Sequence, residues 1–526
     1  MTQAPLRDRY AGLRADLGAA AAAALLVLVA VLVGRHIQDT RRTLFVHWPP
    51  LFADWDPHLG PGTPAAVLVA GAVAVHGPSV AARLRWRRLL LAAWAAALAW
   101  TWSLALVDGW QRGVAGRLTT RNEYLTVVGR FHDVPAALRD FTHHIVSGSP
   151  DPWPAHVAGH PPAATLTFVL LDRIGLRGGG WAGAWCVTAG STACLAVLVT
   201  VRALAGEHLA RRAAPFLVLA PAAVWVGASA DGYFAAVAAW SVALLALAVT
   251  GRSLAWAAGS GLLYGLTCYL SYGLTLVALI GAAVLVTGRR GLRERPALLL
   301  LLPAGAAIVP LAFTLAGFGW ADGYRLLVTR YYQGVGGTRP YGYWVWANLA
   351  CTALTTGLAT AAGLRRAATA LARRRSAPRP DARPTAPDLP PALTGNRPAL
   401  TEGRPTPDEG RPLPSGARPT HVEGPSTPAG KGAAGKGAAP FEGRPAPAEA
   451  QPASAEARLA FLVAAALVAV LVADLSGMSK AETERIWLPF AMWLLAAGAL
   501  LPRPRVWLAA QAVLALLLNH LLFTGW

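Results

Sequence analysis

The chain has 526 residues, 55% of them hydrophobic and only 14% charged, with a mean hydropathy of +0.42. That balance excludes an ordinary soluble globular protein. The 47 Lys and Arg against 27 Asp and Glu give a formal charge of +20, but the arginines cluster in short connections between apolar runs. This is the positive-inside pattern of a membrane protein, not a nucleic-acid surface.

In chain order, apolar runs predict crossings at 19–34, 64–81, 89–107, 181–201, 213–229, 232–250, 254–270, 272–288, 297–317, 344–363, 459–474, 486–501 and 507–524. The first follows a charged start without a convincing cleavage site and reads as a retained span. With the amino terminus in the cytoplasm, the arginine-rich stretches 83–88, 202–212, 289–296, 365–375 and 501–505 all fall inside. Segment 162–175 would upset this if it crossed. It is short and interrupted by Asp172 and Arg173, so it is expected to be re-entrant or partly inserted. The expected fold is an all-α integral membrane bundle of about 13 transmembrane helices with an external carboxyl terminus. Its parts are an N-terminal pair of spans (1–88), a transmembrane module (89–375) with an external loop at 108–160, a linker (376–457) and C-terminal spans (458–526). The linker holds 18 of the 40 prolines; its composition predicts a disordered cytoplasmic segment. Cys186, Cys194, Cys268 and Cys351 lie in apolar runs without a CxxC pair and read as core residues.

On this topology the external side collects most of the chemistry-bearing residues. Within 108–160, the spacing of Val134, Leu138, Phe141 and Ile145 predicts an amphipathic interfacial helix over 133–146. "SADGYF" places Asp231 at a span junction; 319–344 carries Arg330 and Arg339; 474–490 carries Lys480, Glu482, Glu484 and Arg485. Charges at span ends commonly line a cavity. A carboxylate can take a proton from a hydroxyl, and arginine can hold phosphate in a bidentate fork. Glu123 and Asp108 are rival candidates for the base, each also readable as an interfacial acid. Asp231 reads as a cavity acid or a helix cap. His160, fixed ahead of Pro161-Pro162, reads as a helix-start residue or a site residue; the three arginines read as phosphate contacts or as snorkelling side chains. His156 and His160 are four apart, but Gly159 and the double proline disfavour the helix that would align them, so no histidine metal site is assigned.

The order of these parts resembles the polytopic GT-C glycosyltransferases, among them protein O-mannosyltransferases and lipid A aminoarabinose transferases. In that family an acidic motif followed by tyrosine, an interfacial helix and a His-Pro-Pro collar succeed one another. Here they correspond to Asn122-Glu123-Tyr124, the helix near 134–146 and His160-Pro161-Pro162. A later aspartate after a proline-containing span is similar to Asp231, and an Arg-aromatic-x-x-Pro span head is similar to Arg485–Pro489. The sequence departs from the family in having Asn122 in the acidic pair and in placing two spans before the module. The resemblance implies a plasma-membrane enzyme with an extracytoplasmic active face. It would move a sugar from a polyprenyl-phosphate donor to a glycan or protein acceptor, with inversion. Glu123, Asp108 or Asp231 would supply the catalytic carboxylate. His160, Tyr124, Arg330, Arg339, Glu482 and Arg485 would bind substrate. Membrane lipid is the surrounding partner; no cofactor is required, although some relatives use a divalent ion. Two other readings stand beside it. A flippase for lipid-linked glycans would need mid-membrane polar residues and repeat symmetry, neither of which is evident. A non-catalytic subunit of an envelope-synthesis complex would accommodate the altered acidic pair.

Overall fold

In the computed structural model, residues 6–251, 253–376 and 452–525 are described. The linker expected at 376–457 lies outside them except at its edges. Ser376 ends the helix Leu358–Ser376, and 452–457 already belong to the helix Pro452–Leu475. "PASAEARL" is rich in good helix formers, so the helix starts earlier than its apolar run.

Helix dominates the described residues, and strand is confined to one small pair. Among the described residues, seven helices are long and apolar enough to cross a membrane: Gly12–Arg41, Thr63–Arg83, Trp86–Asp108, Gly179–Ala205, Ala230–Thr250, Leu298–Leu315 and Ser454–Leu475. Tyr272–Thr287 and Leu488–Leu500 are shorter apolar helices. The protein is therefore an all-α membrane protein. Where a predicted span differs from the helix found, backbone chemistry explains it. The run 213–229 divides into Glu207–Val218 and the short Ala223–Val226, with Pro221 between them unable to donate a helical hydrogen bond. The run 344–363 breaks at Gly357, whose φ of 83° lies in the left-handed region that favours glycine. The last predicted span stops at Leu521, and Leu522–Thr524 pairs antiparallel with Ala53–Trp55. Segment 162–175 is the 11-residue helix Ala163–Arg173, about 16 Å long and too short for a crossing. Arg173 ties its end to the carbonyls of Phe131 and His132.

Ala230–Thr250 is the central helix and is buried nearly all round. At the periphery, Ala255–Leu270 and Leu298–Leu315 meet backbone to backbone. A Cβ on Gly261 would stand 2.1 Å from the Leu302 carbonyl oxygen, and one on Gly305 would stand 2.3 Å from that of Ala258. Small residues permit this approach where packing, not water, drives association. Leu298–Leu315 leaves Leu299, Leu300, Leu311 and Leu315 exposed, a surface suited to lipid.

The two groups of connections segregate. Arg211 donates to the carbonyls of Ala81 and Leu84, Arg212 to that of Leu501, and the Arg202 guanidinium lies over Trp86. The arginine-rich connections thus gather at one end of Thr63–Arg83. At its other end Thr63 meets His520, next to the strand pair. There too, Arg339 joins the carbonyls of Leu44 and Lys480, and Arg117 that of Thr524.

Candidate functional site

The loop after Trp86–Ala105 is a series of short helical turns. They include Arg117–Thr119, Tyr124–Phe131, Val134–Asp140 and Phe141–His144. Asp133 caps the third by accepting from the Ala136 N–H. The single helix predicted over 133–146 is thus interrupted at Asp140, where the coil tightens. Its apolar stripe was correctly placed, but it packs on protein: Leu138, Phe141 and Ile145 are buried, and Phe141 meets Trp153 and Phe318.

This loop delivers Glu123 and Tyr124 to a small pocket lined also by Arg117, Ser229, Ala230 and Arg485. Glu123 is buried. Its Oε1 lies 2.7 Å from His156 Nδ1, close but oblique for a hydrogen bond, and its Oε2 has no hydrogen-bond partner among the described residues. The other face of the His156 ring, Nε2, is 3.4 Å from Arg485 Nη2. Arginine can only donate, so that nitrogen accepts and Nδ1 carries the hydrogen toward Glu123. Arg485 Nη1 donates to Asp231 Oδ2 at 2.5 Å, and Nη2 to Glu482 Oε2 at 3.3 Å. Glu482 reaches Arg339 with its other oxygen, also at 3.3 Å. Tyr124 Oη lies 3.0 Å from His160 Nδ1, which donates to the His156 carbonyl. Three carboxylates and two guanidiniums therefore join in one buried chain, from Glu123 through His156, Arg485 and Asp231 to Glu482 and Arg339.

Local backbone sets these positions. Ser229, not Asp231, caps Ala230–Thr250, its hydroxyl accepting from the Asp231 N–H. That frees the Asp231 carboxylate for Arg485. Ala481 and Glu482 both have positive φ, 74° and 62°, a costly turn for side-chain-bearing residues; it swings Glu482 between the two arginines.

Two sequence candidates lie differently. Asp108 is held by Arg117 Nη2 at 2.9 Å and faces His58 Nε2 at 2.9 Å, a buried group linked through Arg117 to the Glu123 pocket. Arg330 bonds Ser147 Oγ and the Trp153 carbonyl, fastening the 147–153 turn to the helix Trp320–Gln333. Sequence reasoning gave His156, Arg117 and His58 no role. The four-residue spacing from His156 to His160 was noticed, but as a metal pattern. No group of three or more His, Cys, Asp or Glu able to hold a metal occurs among the described residues.

Enclosure pushes His160 down to about 4, Asp231 opposing this in part, so it is neutral. Burial raises the Tyr124 hydroxyl well above its usual range. Burial opposes the charges of Glu482 and Arg485, yet the Arg485 and Arg339 guanidiniums hold the Glu482 carboxyl below its usual range, and the Asp231 and Glu482 carboxylates hold Arg485 above its own. Glu484 behaves oppositely. It is fully buried, Oε1 accepts from the Phe52 N–H at 2.9 Å and Oε2 has no hydrogen-bond partner among the described residues. Burial pushes it up from 4.5 to about 7. The folded state then holds this proton more tightly than the unfolded state, so its contribution falls as pH rises from about 4.5 to about 7. Glu484→Gln is expected to shrink the loss of thermal stability between pH 5 and pH 8. An unchanged difference would show that this carboxyl is not the titrating group.

The chain matches no protein-family model, no curated protein and no solved structure.

Proposed function

We propose that this protein is a GT-C-type membrane glycosyltransferase with about 13 crossings, working at the extracytoplasmic face of the plasma membrane on a polyprenyl-phosphate sugar. The observation that carries this reading is the buried Glu123 Oε2, unpartnered among the described residues, in a pocket beside Arg485 and Ser229. A buried carboxylate oxygen without a donor is costly, and an acceptor hydroxyl placed there would supply the donor and lose its proton to the base. His156 stands beside the other oxygen. As the hydroxyl oxygen bonds to the anomeric carbon, the sugar–phosphate bond breaks and the polyprenyl phosphate leaves with its electron pair. Its charge needs an arginine, and Arg485 and Arg339 already carry Glu482. Glu482 is less buried than Glu123 or Asp231, its side chain 20% exposed, so phosphate would take its place between them. Asp231 would keep Arg485 in position throughout.

The test compares membranes from cells with and without the protein for transfer of label from a panel of polyprenyl-phosphate sugars. Protein-dependent transfer from at least one donor is expected. Transfer at background from every donor would overturn the reading in favour of a subunit without chemistry.

A further inference from the structure

The arginine-rich end of the bundle holds a groove that the proposed reaction does not use. Where Thr63–Arg83 runs beside Pro504–Leu521, Pro78, Ser79, Arg83, Arg503, Arg505 and Val506 line a cavity of about 590 Å³, within the range of small-molecule sites. Arg505 is built into its wall, Nε donating to the Val75 carbonyl and Nη2 to Ser79 Oγ, both at 2.9 Å. Arg83 and Arg503 are exposed and, among the described residues, make no side-chain hydrogen bond or ion pair. The contrast with the neighbouring connection is direct, because Arg202 and Arg211 there share the carboxylate of Glu207. Neither 75–90 nor 500–510 contains an acid. Three guanidiniums thus line one cavity, and no acid is among its described lining residues.

The groove opens onto an apolar flank. Val75 and Val80 of one helix and Val506 and Val513 of the other are exposed. Guanidiniums match phosphate geometry, and basic pockets between spans suit anionic head groups. A free anion would use only the arginines; the adjoining valines give acyl chains a surface. We propose that this groove binds an anionic phospholipid, its phosphate among Arg83, Arg503 and Arg505 and its chains along the valines. The lipid would close the gap between the two helices and anchor the C-terminal span.

The full-length protein in detergent can be examined by native mass spectrometry with phosphatidylglycerol and, separately, phosphatidylcholine. Retention of phosphatidylglycerol in preference to phosphatidylcholine is expected. R83Q/R503Q leaves the Arg505 bonds intact and should weaken phosphatidylglycerol binding about 25-fold, at about fivefold per arginine, with phosphatidylcholine unchanged. R83K/R503K, which keeps the charge, should recover most of it. Each single Gln variant should give about fivefold, so a poorly folding double variant does not block the test. Equal retention of the two lipids, or binding unaffected by the Gln variants, would overturn the proposal. Displacement of phosphatidylglycerol by excess inorganic phosphate would also overturn it, identifying a free-anion site.

Discussion

Glu123→Gln is expected to lower sugar transfer by about 10²–10⁴-fold, the usual loss when a general base is removed, while leaving the protein folded. The amide keeps the shape of the side chain, and it replaces a buried carboxylate whose Oε2 has no hydrogen-bond partner among the described residues, so removing the charge is inexpensive. Unfolding temperature should be unchanged or slightly raised. Asp108→Asn should show the reverse. Asp108 is already committed to Arg117 and faces His58, and taking its charge away leaves a buried guanidinium with less compensation. Stability should fall and transfer should decline only as far as folded protein is lost. Initial rates normalised to folded protein separate the two. A Glu123→Gln enzyme transferring at the parent rate, with Asp108→Asn dead though folded, would move the base to Asp108.

How far the sequence anticipated this arrangement depends on the kind of pattern involved. Spans such as 232–250 and 297–317 fall within two residues of the helix ends at Ala230–Thr250 and Leu298–Leu315, because uninterrupted apolar runs leave no alternative in hydrocarbon. Breaks caused by single residues do not show in the pattern: Gly357 and Pro221 sit inside runs apolar enough overall to read as single spans. The pairing of 53–55 with 522–524 had no local signal, since three-residue strands at the two ends of a chain have no periodicity to read. The site was legible as a set of residues but not as a circuit. Glu123, Tyr124, His160, Asp231, Glu482, Arg485 and Arg339 do come together, drawn from five separated stretches. What the sequence could not give was pairing. It suggested Arg485 as an open phosphate clamp, whereas its partners are Asp231 and Glu482, 254 and 3 residues away. His156 reads in the sequence only as a metal-ligand candidate, because its place between Glu123 and Arg485 is one that no spacing discloses.

The Arg485–Asp231 pair should dominate the stability of this region. Arg485 is 5% exposed and Asp231 4%, and breaking a buried pair by deleting one partner typically costs about 3–5 kcal/mol, because the other charge is stranded. Arg485→Met keeps much of the volume and strands the Asp231 carboxylate, while Glu482 keeps only Arg339. Asp231→Leu strands less, since Arg485 keeps Glu482, and should cost noticeably less. The double variant removes both charges and should be more stable than Arg485→Met alone, since paired apolar replacements are often tolerated. The coupling energy of this cycle, from unfolding in mixed micelles, is the measurement. If the single costs add and Arg485→Met costs under about 1 kcal/mol, as for solvent-exposed pairs, the guanidinium is not locked to Asp231. It would then be free to meet a donor phosphate without Glu482 giving way. Strong coupling instead requires that exchange, and Glu482→Gln should then tighten donor binding by loosening the arginine fork, while Arg485→Met abolishes it.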